Sequence, residues 1–97
     1  MTITWSPLAV ARIIEISRRI ASDNPQAAQS WLDELFERAD RLRSFPQSGR
    51  TIREIPAGPY RELLHGEYRV IYRVAKSRVL ILTVRHGRRL LDSGELV

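Results

Sequence analysis

The apolar residues of this chain change their period once, at Phe45–Pro46, and that change limits the folds open to it. Before it, Ala9, Ile13, Ile16 and Ile20 recur at i, i+4, i+7 and i+11, one face of an amphipathic helix. Ala28, Trp31, Leu32, Leu35, Ala39 and Leu42 repeat the pattern in a second helix. After it, Tyr68, Val70, Tyr72 and Val74 alternate with Arg69, Ile71 and Arg73, the period of a strand. Helices gathered in one half and strands in the other argue for an α+β fold, with the helices covering one sheet face.

Local signals place the boundaries. Met1–Trp5 reads as a brief strand. Ser6 caps the first helix, with Pro7 at its first position. Asp23–Asn24–Pro25 ends that helix and starts the next, so the two run antiparallel as a helical hairpin over about 7–44. On the outer face Glu34/Arg38 and Glu37/Arg41 are acid-before-base pairs, worth about 0.3 kcal/mol each. Gln47–Ser48–Gly49 is a loop, Arg50 to Ile55 a short strand, and Ala57–Gly58–Pro59 a turn. Tyr60 to His65, Tyr68 to Val74 and Val79 to His86 are strands joined by Gly66–Glu67 and Lys76–Ser77. Successive hairpins predict a twisted antiparallel sheet of three to four strands over about 50–86, then a tail over 87–97, all in one domain.

The last strand breaks its own period. Val79 and Ile81 share one parity, Val84 and His86 the other. A bulge near Leu82–Thr83 brings all four to the core side, because one extra residue flips the phase. The other solution is a strand buried on both faces.

Composition narrows the chemistry. The 97 residues include no cysteine, which removes disulfides, zinc–thiolate sites and cysteine nucleophiles. No glycine-rich phosphate loop, metal-ligand cluster or nucleophile triad is present, so no cofactor and no metal are expected. An apolar run of the length of Val79–Leu82, which no other exceeds, is too short for a signal-peptide core or a membrane span, and the expected location is the cytoplasm. The net charge of +5 is uneven. Residues 1 to 44 carry six Arg and six Asp/Glu, whereas residues 45 to 97 carry ten basic and five acidic groups. A basic half suggests a polyanionic or acidic partner. Arginine as the chain's preferred cation is the plainer explanation, since fifteen of its sixteen basic residues are Arg.

An ordered set of short motifs carries a likeness. It runs Trp5–Ser6–Pro7; Asp23 to Ala28; Phe45–Pro46 with Gly49–Arg50; Tyr60–Arg61–Glu62–Leu63; Glu67 to Val74; and Val84–Arg85–His86–Gly87–Arg88–Arg89. In this set the chain resembles the RelE/ParE toxin superfamily of type II toxin–antitoxin systems, the plasmid-stabilisation type, over essentially its whole length. The resemblance implies a helical hairpin on a twisted antiparallel sheet and a cognate antitoxin, ParD-like or similar, with an acidic C-terminal segment. It also implies one of two targets. ParE-type members poison DNA gyrase, alone or in its complex with DNA, without known catalytic residues. RelE-type members cut mRNA on the ribosome.

The residues weigh these alternatives. Metal-free RNA cleavage needs a base, an acid and cations for the charged transition state. By resemblance Arg61, Arg69 and Arg89 match the basic positions, and His86 is the proton carrier near the end of the sheet. His65 lies beside a turn. Leu63 stands where RelE has a second lysine, and residues 90 to 97 hold no tyrosine, histidine or basic group. Arginine stays protonated and is a poor base. The set is incomplete, which favours a gyrase-binding toxin without chemistry of its own over a ribonuclease. A degenerate member that only binds its antitoxin is a third reading. For target binding, Arg85, Arg88 and Arg89 form the densest basic cluster. Arg69 and Arg73, on one strand face, form either an anion clamp or ion pairs with Glu54 or Glu62. In this reading His86 mainly closes the strand.

Overall fold

The computed structural model describes residues 1–96. β1 (Thr2–Trp5) leads into α1 (Pro7–Asp23), α2 (Pro25–Asp40) and a 3-10 turn at Arg41–Arg43. β2 (Arg50–Thr51), β3 (Tyr60–His65), β4 (Tyr68–Ala75) and β5 (Arg78–His86) follow, and a second 3-10 turn spans Ser93–Leu96. The strands form one sheet in the order β1-β5-β4-β3-β2.

The architecture is α+β, with two corrections. The sheet has five strands rather than three to four, and it is mixed. β1 lies parallel to β5, with Thr2 opposite Arg78 and Trp5 opposite Ile81. The hairpin signals in the second half specify only antiparallel neighbours. The pairing of residues 2–5 with 78–81 spans most of the chain and has no local signature. The strand expected over Arg50 to Ile55 shrinks to Arg50–Thr51. Ile52 then turns under the sheet face away from the helices, where it is 1% exposed.

Both helix starts follow from their caps. Ser6 Oγ accepts the Ala9 N–H at 3.0 Å, and Asn24 Oδ1 accepts the Ala27 N–H at 3.1 Å. Each serves a donor that the first helical turn leaves without a backbone partner. Ala9, Ile13, Ile16 and Leu35 meet Val70, Tyr72, Val79, Ile81 and Val84 in the core between the layers. On the outer face Arg38 donates to the Leu64 carbonyl rather than pairing with Glu34.

The bulge falls where the parity break places it. Ile71 is opposite Thr83 while Tyr72 is opposite Ile81, so Leu82 is the extra residue. Val79, Ile81 and Val84 all face the helices. His86 lies edge-on to Tyr68 on that side, ring centroids 5.7 Å apart. Leu82 joins Ile52, Ile71 and Leu96 in a second apolar cluster on the opposite face, so β5 is also buried on both sides. The Leu82 carbonyl accepts the Ser6 hydroxyl at 2.6 Å, which ties the bulge to the start of α1.

One glycine is dictated by close approach. Tyr72 is fully buried, and its hydroxyl donates to the Pro46 carbonyl at 2.9 Å. It also accepts the Gly49 N–H at 2.8 Å. This phenol fixes the loop between the helical hairpin and β2. A Cβ on Gly49 would lie 2.5 Å from the Tyr72 hydroxyl and 2.8 Å from the Glu62 carbonyl, with backbone on one side that cannot yield. Gly49→Ala should therefore destabilise the fold by about 1–3 kcal/mol through overpacking. Tyr72→Phe, which leaves Gly49 N–H and the Pro46 carbonyl without their partner, should cost about 1–3 kcal/mol. Urea unfolding of both variants checks this, and a double variant no worse than either single one would show that they act on the same contact.

Candidate functional site

The sheet face away from the helices carries a buried cation. Arg69 in β4 is 2% exposed. Its Nη1 and Nη2 each meet a Glu54 oxygen at 2.8 Å, a two-pronged contact, and its Nε donates to Glu62 Oε1 at 2.7 Å. Nη1 also donates to the Arg89 carbonyl at 3.2 Å. Glu62 takes a second cation, Arg50, at 2.6 Å. Hydrogen bonds from Arg69 are the main reason that the Glu54 carboxyl falls to about 2, against the opposing effect of burial. The same contacts raise Arg69 above its ordinary value. Arg69 is thus withdrawn from any outer surface. Arg73 does not complete a clamp with it. They are four strand steps apart, about 13 Å, and Arg73 lies across from Tyr60 and Leu80 toward the β4–β5 turn.

A second charged cluster lies at the end of β5. Glu95, 7% exposed, accepts the Thr83 hydroxyl and Arg85 Nε on Oε1, both at 3.0 Å. Arg12 from α1 stands 3.6 Å from the same oxygen. Burial alone would raise this carboxyl; the Asp92 N–H, Arg85 and Thr83 outweigh it and hold the value below the usual range. The stretch read as a tail therefore packs back on the sheet. Val97 lies outside the described residues.

The turn after β5 forms a basic rim. Arg88 and Arg89 are exposed. His86 Nδ1 accepts the Arg88 N–H at 3.2 Å, which leaves Nε2 to carry the ring proton, 3.7 Å from Glu67. Arg53 donates to the Gly87 carbonyl at 3.1 Å and adds a cation at the foot of the turn. Two grooves flank this turn. One, of about 250 Å³, runs between α1 and the end of β5 and is lined by Arg12, Arg19, Arg85, His86 and Arg89 among others. The other, of about 400 Å³, is lined by Arg50, Arg53, Arg69 and Gly87 among others. Of the cluster expected from the sequence, Arg88 and Arg89 are exposed on the turn, whereas Arg85 is turned onto Glu95 and Asp92; Arg12, Arg19 and Arg53 are added around them. Helical phase sets Arg12 and Arg19 seven residues apart on one flank of α1, but only the topology shows that this flank meets β5. Nothing local in the sequence marks Arg53.

The residues suited to RNA cleavage come together only in part: His86 and Arg89 line one groove, and Arg61 and Arg69 stand apart from it. Arg61 is opposite Tyr72, and its guanidinium is held by the Gly49 carbonyl at 2.7 Å and Gln47 at 2.8 Å. Arg69 is buried on the far face, His86 stands on the helix side against Tyr68, and Arg89 is on the rim.

The lowered Glu54 value has a defined consequence for stability. A carboxylate whose folded value lies below its unfolded one stabilises the fold above the unfolded value of 4.5. That contribution, at most about 3 kcal/mol, is lost as pH falls from about 4.5 toward 2. Glu54→Gln should flatten the stability–pH curve across that window and weaken the fold at neutral pH, because Arg69 then lacks one of its two charges. Urea unfolding at stepped pH measures both effects.

A family model described as the ParE toxin of the type II toxin–antitoxin system parDE matches residues 3–91. Toxin RelE2 of Caulobacter vibrioides is 33% identical over 92 residues, covering 91% of this chain and 97% of that protein. A solved structure of the chromosomal ParDE toxin–antitoxin system from P. aeruginosa superposes with a TM-score of 0.74 at 20% identity, covering 89% of this chain and 95% of that one. The toxin–antitoxin complex RelBE2 from Mycobacterium tuberculosis gives a TM-score of 0.55 at 21% identity, covering 88% and 95%. Fold and sequence agree over nearly the whole length: the chain belongs to the ParE toxin family of type II toxin–antitoxin systems.

Proposed function

We propose that this toxin arrests growth by binding DNA gyrase, without covalent chemistry of its own, and that a cognate antitoxin neutralises it. The observation that carries the reading is the dispersal of the cleavage residues. Arg61 is tied to a loop carbonyl, Arg69 is locked between two carboxylates, and His86 accepts a backbone N–H. Of the matched positions only His86 and Arg89 share the α1/β5 groove, while Arg61 and Arg69 are held elsewhere. The basic rim of Arg88 and Arg89, with Arg53 beside it, is the surface offered to gyrase or to its DNA; Arg85 is held behind it by Glu95 and Asp92. A second reading, ribosome-dependent mRNA cleavage, is favoured by the relative named Toxin RelE2.

A paired assay separates the two readings. Purified protein should inhibit gyrase supercoiling or trap cleaved DNA–gyrase complexes, and should leave ribosome-bound mRNA whole. Codon-specific mRNA cuts with gyrase unaffected would establish the second reading instead. Within the first, Arg88→Ala with Arg89→Ala should abolish growth arrest, while each site changes stability by no more than about 0.5 kcal/mol. His86→Gln keeps a hydrogen-bonding side chain and should leave toxicity largely intact; a well-folded but harmless variant would mark His86 as a proton carrier.

The antitoxin follows from charge. Residues 45 to 97 hold the whole +5, and an acidic segment, disordered when free, complements it. The solved neighbours from P. aeruginosa and M. tuberculosis are toxin–antitoxin assemblies, which supports a partner of this kind. Affinity for the antitoxin should fall as salt rises. Isothermal titration at stepped ionic strength tests this, and a salt-independent affinity or a basic binding segment would contradict it.

A further inference from the structure

Three donors from two separate elements converge on one oxygen. Thr83 and Arg85 from β5 and Arg12 from α1 all point at Glu95 Oε1, at 3.0, 3.0 and 3.6 Å. A hydroxyl and two guanidinium groups around one oxygen is the arrangement that receives a phosphate oxygen. Here a glutamate fills it, and that glutamate is not part of the sheet.

The segment that delivers Glu95 is attached almost wholly by side chains. Among the described residues its backbone makes no ladder bond to the sheet. Leu91 N–H donates to Glu54, the Tyr60 hydroxyl donates to the Leu96 carbonyl at 3.0 Å, and Arg69 holds the Arg89 carbonyl. The Glu95 N–H returns to Asp92 within the segment itself. Leu91 and Leu96 rest on the cluster of Ile52, Ile71 and Leu82. Such a strap can lift while the five strands stay paired. When it lifts it takes Asp92 and Glu95 with it. Those two carboxylates face Arg85 at 3.6 and 3.0 Å, and Glu95 is the carboxylate paired with Arg12.

We propose that residues 90–96 are an autoinhibitory strap, and that its release opens a phosphodiester site made by Arg12, Thr83 and Arg85. The site takes a nucleic-acid backbone rather than an acidic peptide. Its Arg12 and Arg85 line the α1/β5 groove together with Arg89, beside the exposed rim, so phosphates spaced along a strand meet several cations in turn. The inference goes beyond the target assignment, because it is measured on nucleic acid alone, with neither gyrase nor ribosome present.

The test uses the full chain. Fluorescence anisotropy follows binding of labelled single-stranded DNA, its RNA counterpart and the DNA duplex at stepped salt. Glu95→Gln should bind at least one of these about tenfold more tightly than the parent. Its salt slope should steepen by about 0.9 for each phosphate newly engaged. Adding Arg85→Gln should remove the gain. Leu91→Ala, which loosens the strap without altering charge, should shift binding in the same direction. In the parent, hydrogen exchange should show the Leu91 and Glu95 amides opening at lower cost than the β4 and β5 amides. Several results would overturn the proposal: unchanged binding in both strap variants, a gain that survives Arg85→Gln, or strap amides as protected as the sheet. So would a polyglutamate peptide that gains more from Glu95→Gln than any nucleic acid does. Melting curves accompany each variant; should Glu95→Gln fail to fold, the Leu91→Ala binding and the exchange data on the parent decide the matter.

Discussion

Arg69 carries a full positive charge into a sheet face where only 2% of it meets solvent, and the chain around it is arranged to compensate for that. Removing a guanidinium from water costs several kcal/mol even after relaxation. Two carboxylates and a carbonyl replace the lost hydration, with Glu54 engaged by both terminal nitrogens and Glu62 by Nε. Each partner comes from a different part of the chain. Glu54 stands in the loop after β2, Glu62 in β3, and the carbonyl belongs to Arg89 beyond β5. One buried cation therefore holds in register three segments that otherwise share little backbone pairing. A pair of this kind is often no more stabilising than well-packed apolar residues would be. What it does supply is position: the turn that bears Arg88 and Arg89 is tethered through the Arg89 carbonyl itself.

The bulge at Leu82 performs a related task for the strand. Without it, the parity that buries Val79 and Ile81 against the helices would turn Val84 and His86 to the opposite face. With it, Thr83 and Arg85 face away from the helices, beside Ile71 and Arg69, while His86 meets Tyr68. The spare carbonyl that a bulge creates is capped by Ser6, whose hydroxyl oxygen also caps α1. The helix start and the strand irregularity thus fix one another. Arg12, lying on the flank of the same helix, arrives over the end of β5 as a result.

Much of this was legible in the sequence because it rests on local rules. Ser6–Pro7 and Asn24–Pro25 announced both helix starts, and the clash of parity between Ile81 and Val84 announced the bulge. Of the two alternatives left open for Arg69 and Arg73, ion pairs with Glu54 and Glu62 form at Arg69, and Arg73 has no described contact with either. What was not legible depends on contacts distant in the chain. The parallel pairing of β1 with β5 has no turn to signal it. The shortening of β2 goes with the burial of Ile52 in a second apolar cluster, which Leu91 and Leu96 complete from the far end of the chain. Arg53 and Arg12 carry no mark of their own. They join the basic rim because the Gly87 carbonyl and Glu95 happen to lie within their reach.

The placement of the acids explains why the charge of the second half acts locally. Residues 45 to 97 contain five carboxylates. Glu54 and Glu62 are committed to Arg69 and Arg50, Asp92 and Glu95 to Arg85, and Glu67 stands beside His86. None of the five has a described contact with Arg53, Arg88 or Arg89. The surplus therefore divides by position. Arg73, Lys76 and Arg78 lie at and near the β4–β5 turn, whereas Arg53, Arg88 and Arg89 sit at the other end, beside two grooves. Low-dielectric walls concentrate a field that an exposed turn lets water screen. Equal numbers of cations at the two ends of the sheet are thus unequal as binding surfaces. At that end the Arg89 carbonyl is held by the buried Arg69, so its exposed cations stand on a turn that one ion cluster keeps in place.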